Sequence, residues 1–395
     1  MLILSGLAGM LFFLDRQTLS VLKTTLKGDL GWTDTDYGWL VTTFMVCYTL
    51  CYLFSGRWVD RWGTRRTMPV FLALMSVAML LSSYATTLVQ MGVGRALLGV
   101  AEAGVMPATL VAIFTWFPPD RRGTAATLIQ PIYVAGLALA TPIAAIVTRV
   151  WSWHAAFAAP GIFGVAIMIA WWFADRRAAT AGAPPEPAAK PVSYRDALRH
   201  KEIWGVILAR LVSDPLWFFL LYWEPGYLQE RLGLSLDQLA RIGWIPTAVA
   251  TLALITLGFV SDRLVARLGW SPARSRRVLL QSVACLAPTL LLLRVTTNPT
   301  IAIGLLCVVR IMATVWLNFT NVFMADLVPQ RLIGTSIALM SAFGAATSML
   351  CNSVVGPVVG HVGYGPIFVV GAGLHPLAAL ILWRCYRREP TAADS

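Results

Sequence analysis

Residues 56–66 read GRWVDRWGTRR. Four arginines, one aspartate and two glycines are packed into eleven positions, and apolar stretches at 38–57 and 68–86 flank them. Each stretch can cross a hydrocarbon layer of about 30 Å as a helix, so 56–66 is the turn between two membrane spans. Gly56 and Gly63 permit close helix approach and a tight turn. Asp60, a carboxylate in a basic loop, can pair with an arginine or a helix end and latch one state of the molecule. The pattern returns as Gly258-Phe-Val-Ser-Asp262-Arg263 after another apolar stretch, with Arg267, Arg274, Arg276 and Arg277 following. Gly56 to Gly258 and Asp60 to Asp262 are the same step of 202 residues. A loop repeated in the same sense marks two halves repeated in parallel. Gly56, Asp60, Arg61, Gly63, Arg65, Asp262 and Arg263 are the expected gating motif.

Working outward, apolar runs cover the whole chain of 395 residues, which is 57% hydrophobic and only 13% charged. They predict twelve helical spans near 2–22, 38–57, 68–86, 90–114, 124–148, 155–174, 203–223, 238–261, 278–295, 299–323, 333–359 and 364–384, the seventh continuing past Pro225. The long polar break, 175–202, is rich in Ala, Pro and charge and reads as a flexible linker. The expectation is an all-α membrane protein with twelve transmembrane helices in two six-helix pseudo-symmetric bundles, 1–174 and 203–395, joined by 175–202.

The net charge of +12 would suggest nucleic acid in a soluble chain. Here 21 of the 31 Lys and Arg fall in the segments on one side of the spans and 6 on the other. By the positive-inside rule the richer side, with both termini, is cytoplasmic. The charge then reports membrane orientation, and no nucleic-acid partner is expected. The six cysteines lie in or at the ends of spans without metal-like spacing and read as packing residues.

The remaining four basic residues, Arg16, Arg95, Arg210 and Arg310, lie inside apolar stretches, as do Asp15, Glu102, Asp214 and Glu224. A charge in hydrocarbon costs roughly 2.5–3.5 kcal/mol on insertion scales, so such groups persist where a cavity or a partner charge receives them. Arginine stays cationic, whereas carboxylates exchange protons. Fixed cations beside titratable acids suit the movement of an organic anion coupled to protons. Asp15 and Arg16 point about 100° apart on one helix, so one can face a cavity while the other pairs sideways. Arg95 and Glu102, seven apart, share a helix face about 10 Å apart along the axis. An ionised Glu102 can hold an arginine, and a protonated one frees it for an anion. Arg210 and Asp214, one turn apart, can satisfy each other or serve a ligand, and Asp214-Pro215 marks a kink. Trp217 is a candidate stacking wall. Tyr48, Tyr133, Trp316, Asn318 and Asn352 offer hydrogen bonds to a hydroxyl-rich ligand or pack against neighbouring helices. Glu224 suits a rim, a gate or coupling, and Arg310 has no acid near it in sequence.

The 56–66 motif resembles the signature between the second and third helices of the major facilitator superfamily, which implies the major facilitator fold. LDRQTLSV (14–21), GRALLGVAEAGVMPA (94–108), WFPPDRRG (116–123) and ARLVSDPLWFFLLYWEPGYL (209–228) further resemble the anion:cation symporter family, and its hexuronate and aldonate branch above all. That resemblance implies an arginine at Arg16 on the substrate carboxylate, a ligand-contacting tyrosine at Tyr48, a coupling carboxylate at Glu102 with its arginine at Arg95, and an acid at Asp15. Tyr133 departs from the small or amide residues of sugar-acid relatives, and Gly226 from their frequent lysine.

The expected function is secondary active transport: proton-coupled symport of a small sugar acid by alternating access in a bacterial inner membrane. Arg16, Tyr48, Arg95, Tyr133, Arg210, Trp217, Trp316, Asn318 and Asn352 would bind substrate, and Asp15, Glu102 and Asp214 would couple protons. No cofactor or metal is expected beyond the proton as coupling ion. The expected partners are the anionic substrate and the bilayer, and the protein would act as a monomer. An exporter or antiporter of another carboxylate is the alternative within the class. A membrane enzyme fits poorly, because His154, His200, His361 and His375 are scattered.

Overall fold

The structure is a computed structural model. It describes residues 1–117, 122–179, 194–329 and 332–386, without the side chains of Asp60, Phe114, 122–127, 130–131 and 175–179. Among the described residues every regular element is helical, and twelve helices are long and apolar enough to cross a membrane. Spans 1 to 6 are Leu2–Val21, Asp34–Val59, Arg61–Ser83, Leu88–Ile113, Ile132–Val150 and Trp153–Ala174. Spans 7 to 12 are Lys201–Glu230, Leu236–Leu268, Pro272–Val295, Pro299–Leu327, Ile333–Val362 and Gly365–Cys385. Span 7 runs through Pro225, as its apolar sequence implies, and ends at Glu230.

The span ends follow from local chemistry. The first backbone N–H groups of a helix have no partner inside it, and a side-chain oxygen just before the helix supplies one. Thr33 accepts from the Asp36 N–H while Asp36 accepts from the Thr33 N–H, a reciprocal cap that opens span 2. Thr87 with Gln90 opens span 4 in the same way, and Ser235 with Gln238 opens span 8. Asn298 caps span 10, whose first residue, Pro299, needs no N–H partner. Between spans 2 and 3 the helix is interrupted only at Gly63, with φ 70° and ψ 161°, a conformation closed to side chains with a Cβ. In the corresponding loop of the second half, Gly269 takes φ 62°.

The chain divides into two compact units: residues 1–190 with 221–244, and 191–220 with 245–395. This departs from the division expected at 175–202. The last third of span 7 and the start of span 8 cluster with the first half, and side chains of spans 1 and 2 hold the backbone at Leu221 and Tyr222. Ser20 Oγ donates to the Leu221 and Tyr222 carbonyls at 3.1 and 2.9 Å, and Tyr37 OH donates to the Tyr222 carbonyl at 2.5 Å.

In unit 1, small residues bring spans into contact. A Cβ on Gly99 would lie 2.5 Å from the Phe44 carbonyl oxygen and 2.9 Å from the Tyr48 nitrogen, so spans 2 and 4 meet backbone to backbone there. This contact places Glu102, one turn further along span 4, beside the aromatic face of span 2. Unit 2 is organised on an apolar core that includes Ile203, Val206, Val283, Trp316, Phe323 and Leu382. Tyr386 OH donates to the Glu202 carbonyl and fixes the end of span 12 on the start of span 7.

Candidate functional site

Four charged side chains of the sequence prediction meet in unit 1. Arg16 and Asp15 come from span 1, Arg95 and Glu102 from span 4, and all are buried, with exposures of 4, 0, 2 and 0%. Arg16 Nε donates to Glu102 Oε2 at 2.6 Å. Its guanidinium lies 3.9 Å from the Phe12 ring centroid, 4.5 Å from Tyr48 and 4.9 Å from Phe44. Aromatic faces attract a cation without neutralising it. Arg16 Nη2 and Glu102 Oε1 make no hydrogen bond with any described residue. The pair therefore keeps one donor and one acceptor in reserve.

The structure pairs Glu102 with Arg16, whereas the family resemblance implies Arg95 as its arginine. The reason is distance along the helix. Arg95 sits two turns earlier on span 4 and turns toward span 3, with Nη2 3.3 Å from Met79 Sδ and 3.4 Å from Ser82 Oγ. Its Nη1 reaches the Asp15 carbonyl at 3.4 Å, and Phe157 lies 5.5 Å below it. Asp15 is within electrostatic reach of both Glu102 and Arg95, yet neither of its carboxylate oxygens accepts a hydrogen bond from a described residue. A buried carboxylate without hydrogen bonds is costly to keep there, which marks this acid as a candidate for a functional role.

Tyr48 stacks between Phe44 and Tyr52, at 5.9 and 5.6 Å, and presents its ring to Arg16. Tyr133 packs with Ile113 and Ile129 and lies against Gly9 of span 1, where a Cβ would overlap its ring. Tyr222, from the part of span 7 that clusters with unit 1, stands edge-on to Phe44 at 6.3 Å. Phe12 and Phe44, the box around Arg16, went unread in the sequence. Aromatic residues on apolar helices look like packing until the cation they cover is known.

In unit 2, Arg210 Nε lies 2.5 Å from Asp214 Oδ1 within one helix turn. The same guanidinium donates through Nη1 to the Leu317 carbonyl, Thr320 Oγ1 and Asn321 Oδ1 at 3.0, 3.0 and 3.3 Å. Asp214 Oδ2 is buried without a hydrogen bond and faces Gly344, where a Cβ would collide with it. Arg310 donates to the Leu220 carbonyl at 3.3 Å. Trp217 is 9% exposed and packs edge-on to Phe218. Trp316 lies in the apolar core with its ring 5.3 Å from His375, a packing position. Asn318 and Asn352 donate to carbonyls of their own helices, Thr314 at 2.8 Å and Ser348 at 2.9 Å.

Of the gating motif, Arg61, Arg65, Asp262 and Arg263 are exposed at span ends, Gly56 has open space about it, and Gly63 makes the turn. The Asp60 side chain lies outside the described residues.

A sequence profile of the Major Facilitator Superfamily matches residues 5–351. The hexuronate transporter of Escherichia coli (strain K12) is 26% identical over 408 residues, covering 99% of this chain and 94% of that one. The D-galactonate transporter of Escherichia coli O6:H1 (strain CFT073) is 26% identical, with coverage of 93% and 90%. Among solved structures, a bacterial homologue of the human lysosomal transporter Spinster superposes with a TM-score of 0.75 at 16% identity, covering 98% of this chain and 94% of that one, and so shares the fold. Twelve apolar helices, a duplicated basic loop and buried arginines paired with acids agree with these matches. The chain belongs to the Major Facilitator Superfamily and is a multi-pass membrane transporter, not an enzyme.

Proposed function

We propose that the protein imports a small sugar acid, a hexuronate or aldonate, together with a proton by alternating access. The observation that carries the reading is the Arg16–Glu102 pair, 2.6 Å long, fully buried and ringed by Phe12, Phe44 and Tyr48. An ionised Glu102 occupies the guanidinium edge that a substrate carboxylate would need. Protonation removes that competitor, and the arginine, still cationic, takes the incoming anion. Proton and anion then enter together, and the site keeps its charge. Asp15 and Arg95 are a second acid and cation on the same two helices, and Tyr48 supplies a phenolic hydroxyl beside the arginine. The named relatives carry hexuronates and galactonate, which supports a hydroxylated carboxylate as the ligand.

In unit 2, Arg210 with Asp214 is a second pair of this type, and Asn318, Asn352, Tyr133 and Trp217 are the remaining candidates for contacts to hydroxyl groups. The excess of Lys and Arg in the segments on one side supports a cytoplasmic location for both termini in a bacterial inner membrane, and we take the monomer as the functional unit. A thermal-shift screen of the purified protein against uronates, aldonates and dicarboxylates at two pH values tests the ligand class. Stabilisation by a uronate or aldonate that grows at the lower pH is the expected result, and stabilisation by dicarboxylates alone would refute it.

A further inference from the structure

Residues 262–277 run from the end of span 8 into span 9 of unit 2. They hold five arginines, Arg263, Arg267, Arg274, Arg276 and Arg277, against one acid, Asp262. Gly269, at φ 62°, makes the turn between the two helices, and Ser271 accepts from the Arg274 N–H to begin span 9 at once. The arginines of both helix ends therefore gather at one end of the unit. Arg276 pairs with Asp326 at the end of span 10. Arg263, Arg267 and Arg277 have no acidic partner among the described residues. The Arg274 guanidinium lies over the Trp270 ring, 4.8 Å from its centroid. Such stacking leaves the charge in place.

Helix periodicity shows what these arginines adjoin. On span 8, Leu252, Ile255 and Phe259 are exposed at 65, 54 and 65%. Steps of three and four residues place them on one face, and an exposed apolar stripe on a membrane-spanning helix meets hydrocarbon. Arg263 is four residues past Phe259, and Arg267 four past Arg263, so the stripe runs on into two exposed guanidinium groups. On span 9, Arg274 and Cys285 are eleven residues apart, close to three turns, and both are exposed. Between the two helices Leu268 is 58% exposed. The basic patch thus borders an apolar surface, and Trp270, whose ring suits the membrane interface, lies within it. A soluble anion needs no apolar border. A phospholipid presents a phosphate and then acyl chains in that order.

We propose that Arg263, Arg267, Arg274 and Arg277 bind the head group of an anionic phospholipid, with its acyl chains along Leu252, Ile255 and Phe259 of span 8. Arginine forks match phosphate oxygens two at a time, and basic pockets between membrane helices hold such head groups. Leu252 lies eleven residues from Arg263, about 16 Å along the helix, which is about half of a hydrocarbon layer of about 30 Å and so the depth of one leaflet. This partner is independent of the sugar acid and of the proton. Its test adds no substrate, so a negative result is distinct from failure of the proposed function.

The test is native mass spectrometry of the purified, delipidated full chain with phosphatidylglycerol, cardiolipin or phosphatidylcholine added singly. Phosphatidylglycerol or cardiolipin should bind about tenfold more tightly than phosphatidylcholine. The triple variant Arg263→Gln/Arg267→Gln/Arg274→Gln should lose about tenfold in affinity for the anionic lipid, whereas Arg57→Gln/Arg61→Gln/Arg66→Gln, which removes the same charge from the loop between spans 2 and 3, should stay within about twofold of wild type. Equal losses in the two triple variants would show diffuse attraction to a basic surface and overturn the site. Equal binding of all three lipids would overturn it too. Release of the lipid by inorganic phosphate at equal concentration would reassign the patch to a soluble anion. Arg276 is left in place so that its pair with Asp326 persists. Should the triple variant not fold, Arg263→Gln/Arg267→Gln carries the test, and unchanged lipid affinity there would overturn the proposal.

Discussion

Arg16 combines three demands that no other side chain meets together. It must stay charged in a buried site, lie against aromatic rings, and offer nitrogens in a fork that fits a carboxylate. Arg16→Lys keeps the charge and loses the fork, so affinity for the carboxylate ligand should fall roughly ten- to a hundredfold, about 1.4–2.7 kcal/mol, and Arg16→Ala should abolish binding. Isothermal titration of the purified variants checks both, and preserved affinity in Arg16→Ala would count against this arginine as the anion site. Glu102 is argued differently. Glu102→Gln keeps an acceptor for Arg16 but cannot take up and release a proton. Uptake driven by an imposed proton gradient should vanish while counterflow exchange in proteoliposomes persists. A variant that still concentrates substrate under that gradient would move the coupling elsewhere. Glu102→Ala leaves Arg16 buried without its counter-charge, and loss of one partner of a buried pair costs about 3–5 kcal/mol, so this variant should show a markedly lower melting temperature.

At the scale of elements, the contact of spans 2 and 4 at Gly99 decides whether the acid and the aromatic box meet at all. The neighbours of a Gly99 Cβ are the Phe44 carbonyl and the Tyr48 backbone nitrogen, neither of which can swing aside. Gly99→Ala should cost about 1–3 kcal/mol, the range for overpacking, with loss of ligand-induced stabilisation because Glu102 moves with its helix. Wild-type melting and ligand response in Gly99→Ala would show that the two spans separate without consequence. Span 7 is governed by its prolines. Pro225 takes a hydrogen bond away from Leu221, and Ser20 on another helix replaces it, so a local backbone defect becomes a contact between helices. Arg210 and Asp214 instead satisfy much of each other one turn apart, which leaves Asp214 Oδ2, facing Gly344, without a hydrogen bond from a described residue.

At the scale of the molecule, Lys27, in the short helix Lys23–Leu30, lies 2.9 Å from both Asp34 and Glu230 and gives unit 1 a stability that is lost on the alkaline side. Burial alone would lower the Lys27 ammonium, but hydrogen bonds from Lys27 to Asp34 and Glu230, and the charges of both, outweigh it and hold the group above its ordinary 10.5. Lys23 shares the same two carboxylates. A group raised on folding contributes stability that is complete below its unfolded value and fades as pH rises through its folded one. The melting temperature of wild type should therefore exceed that of Lys27→Gln at pH 8, and the two should converge as pH climbs beyond about 10.5. A difference that persists unchanged to higher pH would show that Lys27 contributes by packing alone.

The sequence by itself determined the class of the molecule: twelve spans, a duplicated loop, and arginines and acids at membrane depth. Those are one-dimensional signals, because a helix that crosses hydrocarbon must be apolar along its whole length and each exception is conspicuous. Arg16, Asp15, Arg95 and Glu102 were legible for that reason. What only the tertiary structure decided is which charge meets which. The direct hydrogen bond to Glu102 comes from Arg16 on span 1, while Arg95, two turns away on the same helix, turns to Ser82 and the Asp15 carbonyl. Lys23 and Lys27 read as ordinary loop charges, and the burial of Lys23 and the pairing of both with Glu230 depend on a partner some two hundred residues away. Trp316 and Trp217 are apolar side chains on apolar helices, and the direction in which such a helix turns its faces is set by packing against other helices, which no local spacing records.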